Sequence, residues 1–268
     1  MVKDHRLFQL RFEDPKLNDE FTHKPGQFVM LSVLGVGEIP VSLCSSPSRK
    51  GIMELMVRKV GRVTSALYAL RENDFVGIRG PYGNGFPVDD MKGKDLVIVA
   101  GGLGTAPLRG LLWYCLDNRA EFGKIALLYG SRSTKDMLFR SEMESLLNRD
   151  DIQCLLSVEK LDDEEKDTWR GYTGLVTDLF RHLGEIGEDA YAAVCGPPVM
   201  YKYVLEELLN KGFDKNRILM SLERRMKCGI GKCAHCAIGY HSSVGYRYVC
   251  IHGPIFTYWD ATNLPEMI

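Results

Sequence analysis

Between residues 94 and 223 the sequence alternates short, continuously apolar runs with helical patterns, an order that few folds accept. "KDLVIVA" (94–100) reads as a strand buried on both faces, because no polar residue interrupts it after its first two positions. The helical "PLRGLLWYCLDNRA" follows, then the strand "KIALLYG" and the helical "KDMLFRSEMESLLNR". After these come "IQCLLSV", the helical "VTDLFRHLGE", "YAAVCG", the helical "PPVMYKYVLEELLNKG" and a closing strand, "RILMSLE". Strand and helix at this spacing build βαβ units, and hence a doubly wound parallel sheet.

The segments on either side follow a different grammar. Before residue 93 the chain offers short strands broken by turns: "LFQLRF", "FVMLSVLG", "IMELMVRKVG" and "DFVGIRGPYG", with "VTSALYAL" as a short helix. Many short strands with Gly and Pro punctuation point to a small antiparallel barrel. After residue 223 the chain is rich in cysteine and glycine and has no strong period. The expected order is an antiparallel β-barrel (1–92), a doubly wound α/β domain (93–223) and a small C-terminal module (224–268).

Charge narrows the class. Lys and Arg number 34 against 35 Asp and Glu, and no basic, aromatic-rich stripe is present, which argues against a nucleic-acid partner. The longest apolar run, "DLVIVAGGLGTAPLRGLLWYCL", carries several glycines and Arg109, so no membrane insertion is expected. "MVKDHRLFQLRF" places charge where a secretory signal would need an apolar core, so the expected compartment is the cytoplasm. There, eight cysteines point to metal or redox chemistry before disulfides.

"VAGGLGTAPLRG" sets Gly101, Gly102 and Gly104 directly after a buried strand, with Thr105 and Pro107 opening the helix. Glycines admit a phosphate close to the backbone, and the helix N-terminus offers unpaired N–H groups. On the loop alone, a phosphate site and a plain tight turn both stay open. At the next strand end, Gly130, Ser131 and Arg132 fall where the adenosine half of a dinucleotide would lie, with Asp136 shortly after. The choice between NADH and NADPH stays open. A third strand ends in Cys195, Gly196 and Pro197, marking a rigid crevice at the same edge of the sheet.

"KCGIGKCAHC" begins the C-terminal module. Cys228, Cys233, Cys236 and Cys250 are spaced C-x4-C-x2-C followed by a distant fourth cysteine. That is the spacing of a plant-type [2Fe–2S] site. Gly229, Gly231 and Gly239 suit a loop folded tightly around a cluster. A structural zinc with four cysteine ligands is the rival. Four cysteines complete a ligand shell, leaving His235 and His252 outside it.

Together these motifs resemble the ferredoxin–NADP⁺ reductase superfamily over essentially the whole chain. The resemblance rests on "PVSLCSSP" (40–47), "VRKVGRVTSAL" (57–67), "GPYGNGF" (80–86), "VAGGLGTAPLRGLL" (99–112), "LLYGSR" (127–132) and "CGPP" (195–198). "SLERRMKCGIGKCAHC" and the ending "NLPEMI" resemble gamma subunits of NiFe hydrogenases and sulfhydrogenases and the electron-transfer component of anaerobic sulfite reductase. Electron-transfer subunits of dihydroorotate dehydrogenase B are a more distant match.

The resemblance implies FAD on the barrel. Pro40, Val41, Ser42 and Leu43 would line its ring, with Ser42 bonding near the reactive nitrogen. Met56, Val57 and Arg58 would hold the ribityl and phosphate part, and Gly61, Val63 and Thr64 the pyrophosphate. The superfamily's R-x-Y-S reads Ile39-Pro40-Val41-Ser42 here, without its arginine and tyrosine, and no terminal aromatic is present. NAD(P)H would lie across Gly101–Pro107, Gly130–Arg132 and Cys195–Pro197, its nicotinamide beside Cys195. The implied role is an NAD(P)H-dependent flavin oxidoreductase that serves the catalytic and iron–sulfur subunits of a hydrogenase- or sulfite-reductase-type complex. Alternatives are a stand-alone reductase of a small acceptor, a dihydroorotate dehydrogenase subunit, and a non-enzymatic zinc module.

Overall fold

The computed structural model describes residues 2–241 and 245–263. Residues 264–268, most of the closing "NLPEMI", lie outside them. The N-terminal strands are β1 (His5–Leu10), β2 (Phe28–Val33), β3 (Gly37–Ser42), β4 (Met53–Arg58) and β5 (Gly77–Tyr82). Helix α1 (Pro15–Glu20) follows β1, and α2 (Arg62–Ala69) follows β4.

β1 pairs with β4, and β3–β2–β5 form a second antiparallel sheet; a bridge between Leu43 and Leu55 links the two into an open barrel. Alternate residues point inward, so Val29, Leu31, Val41, Leu43, Leu55 and Leu67 form its core. The sequence reading passed over β3, which contains Pro40. Pro40 opposes Met30 on an edge strand of this sheet, where a missing N–H breaks no inner ladder.

The second domain contains β6 (Leu96–Gly101), α3 (Thr105–Asp117), β7 (Ile125–Ser131), α4 (Arg140–Leu146), β8 (Gln153–Val158) and β9 (Tyr172–Thr173). It continues through β10 (Tyr191–Cys195), α5 (Pro198–Asn210) and β11 (Ile218–Ser221). The stretch expected as a helix from Val176 is instead a 3₁₀ segment, Val176–Arg181, begun by the Asp178 carboxylate accepting from Leu175 N at 2.8 Å. α4 is shorter than its pattern because Phe139, with φ of 54°, ends the preceding turn in a left-handed conformation.

The last module adds β12 (Ala237–His241), β13 (Gly245–Tyr248), α6 (Val249–His252), β14 (Ile255–Thr257) and α7 (Tyr258–Asn263). The central sheet has the order β14-β11-β10-β6-β7-β8-β9, parallel except for β14, which runs antiparallel to β11. The C-terminal module is therefore stitched into the α/β sheet. One face of the sheet packs against α3 and α4, the other against α5 and the 176–181 segment. Among the described residues, no helix is long and apolar enough to cross a membrane.

Candidate functional site

An open cleft of about 310 Å³ lies where the barrel, the α/β domain and the C-terminal module meet. The barrel contributes Pro40, Val41 and Ser42 from β3 and Met56, Val57 and Arg58 from β4. The α/β domain adds Leu103, Ala106 and Pro107 from the glycine loop and the start of α3. Leu43, expected beside the same group, is fully buried in the barrel core. The strand pleat explains this: Val41 and Leu43 face inward, while Pro40 and Ser42 are only half-buried.

Thr64 reaches the cleft at the foot of α2, and its Oγ1 accepts from the N–H groups of Val60 and Gly61, both at 2.9 Å. This fixes the helix entry and leaves the first-turn amides of Arg62 and Val63 without intrahelical partners, a ready seat for an anion. Arg58 is exposed at the cleft and supplies positive charge. Largely apolar, with a cationic side chain and a helix start in its lining, the cleft suits a flavin dinucleotide.

The three strand ends expected to hold NAD(P)H share one edge. Cys195 pairs in register with Ala100, and Gly101 with Gly130, so β10, β6 and β7 end side by side. A β-carbon on Gly101 would meet Met200 Sδ at 2.5 Å, and one on Gly104 would meet the Cys195 carbonyl oxygen at 2.3 Å. These glycines let two loops press together. Gly102 differs: its φ is +53°, and nothing lies within 4 Å of where its β-carbon would be. It leaves open backbone at the strand edge. The loop is thus both a tight turn and a ligand-accessible surface.

Thr105 donates to Gly102 O at 3.0 Å and closes this turn. α3 begins at Thr105, which puts Pro107 inside its first turn and on the cleft wall. Ser131 Oγ donates to Ser133 O at 2.8 Å, while Arg132 stays exposed. Cys195 is buried and does not line the cleft. Burial pushes its thiol up to about 12, so it is a neutral thiol and not a nucleophile. Ser221 of the neighbouring strand reaches the wall in its place.

Ser221, Leu222, Glu223, Arg224, Met226 and Pro254 close the far side of the cleft. The resemblance drew on Ser221–Met226 within "SLERRMKCGIGKCAHC" but gave these residues no place on the cleft. They come from the chain crossing from β11 into the cysteine loop, and from the turn before β14.

The four cysteines stand two by two. Cys228 and Cys233 are hydrogen-bond neighbours, and so are Cys236 and Cys250. Two thiolates for each of two irons is what a [2Fe–2S] shell requires. Amide N–H groups aim at the sulfurs: Ile230 N lies 3.5 Å from Cys228 Sγ and Gly231 N 3.1 Å from Cys250 Sγ.

The Ile230 amide, seconded by those of Cys233 and Lys232, lowers the Cys228 thiol to about 6; burial raises Cys250 to about 12. Gly229 and Gly231 turn the loop with φ of 74° and 75°, and Ala234 adopts a left-handed φ of 54°. His235 is exposed, and His252 Nδ1 accepts from Tyr248 N at 2.8 Å.

Comparison with known proteins agrees with this layout. The family model for an oxidoreductase FAD-binding domain matches residues 1–86, and that for an oxidoreductase NAD-binding domain matches 98–206. The iron–sulfur cluster binding domain of dihydroorotate dehydrogenase B matches residues 223–262. Sulfhydrogenase 2 subunit gamma of Pyrococcus furiosus is 48% identical over 276 residues, spanning 100% of this chain and 94% of the relative. The chain belongs to the family of the sulfhydrogenase gamma subunits.

Sulfhydrogenase 1 subunit gamma of the same organism is 44% identical, covering 100% of this chain and 90% of its own length. A probable dihydroorotate dehydrogenase B electron transfer subunit, also from P. furiosus, stands further off at 34% over 90% of this chain and 83% of the relative. An NADH-dependent reduced ferredoxin–NADP oxidoreductase structure shares the fold, with a TM-score of 0.74, 22% identity and coverage of 96% and 85%. With its flavin, nicotinamide and iron–sulfur domains, this family member is an NAD(P)H-dependent flavin oxidoreductase of the electron-transfer-subunit type.

Proposed function

We propose that this chain passes electrons between NAD(P)H and the catalytic and iron–sulfur subunits of a hydrogenase- or sulfite-reductase-type complex in the cytoplasm. The units are 1–92 for FAD, 93–223 for NAD(P)H and 224–268 for a [2Fe–2S] cluster. Bound together, the three groups supply hydride transfer, conversion between two-electron and one-electron steps, and one-electron delivery. The protein positions them.

The observation that carries the reading is how the cysteine loop sits on the cleft's own wall. Gly229 abuts Met30 and Tyr82, where a β-carbon would fall 3.0 Å from Met30 Cγ and 3.4 Å from Tyr82 Cδ2. Tyr82 in turn packs on Phe28, with ring centroids 5.9 Å apart, and Phe28 lines the cleft. Phe28 and Tyr82 stand in sequence between the flavin cleft and the cysteine loop.

In this reading Pro40, Val41 and Ser42 flank the ring, with the Ser42 hydroxyl available as a hydrogen-bond partner for its reactive edge. Met56, Val57 and Arg58 hold the ribityl phosphate, and Gly61, Val63 and Thr64 the pyrophosphate. Gly102, with Gly101, Gly104 and Thr105 shaping its turn, receives the dinucleotide phosphates. Gly130, Ser131 and Arg132 flank the adenosine end. Cys195, Gly196 and Pro197 form the floor under the nicotinamide. Cys228, Cys233, Cys236 and Cys250 bind the cluster. Eight unpaired cysteines suit a reducing compartment.

The test is an anaerobic absorption spectrum with iron and zinc analysis, recorded during titration with NADH and then NADPH. Flavin and cluster bands that bleach together with one nucleotide support the relay and identify the donor. Flavin that bleaches in iron-free, zinc-loaded protein would remove the relay, and colourless protein would remove the flavin as well.

A further inference from the structure

Arg79 projects from β5 to a point where three parts of the molecule meet. Its Nε and Nη2 donate to the two carboxylate oxygens of Glu38 on β3, at 2.8 and 2.6 Å. Nη1 donates to Tyr82 Oη at 3.1 Å, and Nη2 also donates to the carbonyl oxygen of Cys228 at 3.2 Å. The guanidinium lies 5.7 Å from the centre of the Tyr82 ring. One planar fork thus ties the first cysteine of the cluster loop to the strand whose next residues, Ile39 and Pro40, line the flavin cleft.

The loop needs such a tie. Gly229 and Gly231 sit in left-handed conformations that leave the backbone free to adopt others. We propose that Arg79 is a positioning residue that seats the Cys228 end of the cluster and, with Glu38, sets its reduction potential. This inference rests on the reading that the four cysteines hold a redox cluster. Reduction adds negative charge to the cluster, so a fixed cation hydrogen-bonded to a ligating residue favours the reduced form, while the neighbouring carboxylate opposes it. Both side chains are partly exposed, so added salt weakens the effect. Lysine retains the charge but cannot reach Glu38, Tyr82 and Cys228 at once.

The two partners must therefore act in opposite directions. A merely structural clasp would make loss of either one look alike. The experiment uses the holoprotein, with flavin and iron content verified. The potential of the reduced-cluster signal is followed by electron paramagnetic resonance, and that of the flavin by absorbance. Arg79→Gln is expected to shift the cluster midpoint to more negative values and Glu38→Gln to more positive ones. Arg79→Lys should return most of the Arg79→Gln shift, with the flavin midpoint steady throughout.

Shifts of the same sign, or no shift in either glutamine variant, would overturn the proposal. If Arg79→Gln fails to load iron, Glu38→Gln and Arg79→Lys decide it: a Glu38→Gln midpoint equal to wild type overturns it. A wild-type protein lacking any reducible cluster signal would end the relay reading itself, an outcome distinct from unmoved variants around an intact signal.

Discussion

Gly104 and Cys195 lie in direct backbone contact where β6 and β10 end, with no room for a β-carbon between them: one on Gly104 would be 2.3 Å from the Cys195 carbonyl oxygen. Gly104→Ala must force the two loops apart, which by overpacking is worth about 1–3 kcal/mol of stability. It should also weaken NAD(P)H binding by roughly tenfold or more, equivalent to about 1.4 kcal/mol. Gly102→Ala meets open space and incurs only the left-handed backbone penalty of about 1–2 kcal/mol. Nucleotide titrations of the flavin spectrum, with melting curves of both variants, test the contrast. Equal melting temperatures for Gly104→Ala and wild type would contradict the packing argument.

Arg109 is the buried bolt between the first two domains. From α3 it donates to Cys44 O at 2.7 Å and Glu54 on the barrel at 2.6 Å, and it grips both oxygens of Glu142. Its side chain is 7% exposed, so removing it strands two carboxylates in a poorly solvated interface. Arg109→Met is expected to destabilise the protein by about 3 kcal/mol or more. Adding Glu54→Gln and Glu142→Gln should recover part of that loss, because fewer charges are left unpaired. Urea unfolding followed by flavin fluorescence would show it. A triple variant no more stable than Arg109→Met alone would point to packing in place of charge.

Legibility in the sequence divided along physical lines. The α/β strands were readable because burial on both faces writes a continuous apolar run for each, as in "KDLVIVA". β14 was not readable. It is three residues long and gains its strand character from Leu219, Met220 and Ser221, far earlier in the chain. The cysteine spacing stated its chemistry because metal ligation fixes residue type and separation together. The glycine loop did not reveal its division of labour, since phosphate access and loop-to-loop packing both call for a missing β-carbon. The Arg79–Cys228 tie spans 149 residues, and no local pattern carries such a contact.

His23 gives the fold a pH dependence with a definite sign. Burial lowers its pKa below 6.5, outweighing the bond between Nε2 and Ser45 O at 3.2 Å, and Lys50 adds to the lowering. Well above pH 6.5 the imidazole is neutral in both folded and unfolded chains and contributes no slope. As pH falls below 6.5 the unfolded chain takes up a proton that the folded chain resists. Stability then declines by at most about 1.4 kcal/mol per pH unit, until the folded-state pKa is passed. His23→Gln can still donate to Ser45 O but does not titrate. Urea midpoints measured from pH 7.5 to 5.5 should therefore fall less steeply for the variant. Parallel curves would remove His23 as the source.

The cysteine pairs make a prediction that separates the cluster from the flavin. Cys236 and Cys250 are buried, Cys233 is exposed, and Cys228 is polarised by the Ile230 amide. Despite these different settings, one shell treats them alike: serine at any of the four should lower bound iron and abolish the cluster envelope in the spectrum. The flavin cleft draws none of its lining from these side chains, so FAD content and flavin reduction by NAD(P)H should persist in each variant. Transfer onward to a one-electron protein acceptor should fall to background. Cys154→Ser, on β8 and remote from the loop, is the control that keeps both activities. Retained iron in the Cys250→Ser protein would break the two-by-two assignment. Loss of flavin reduction alongside the iron would mean that the module supports the cleft as well as the relay.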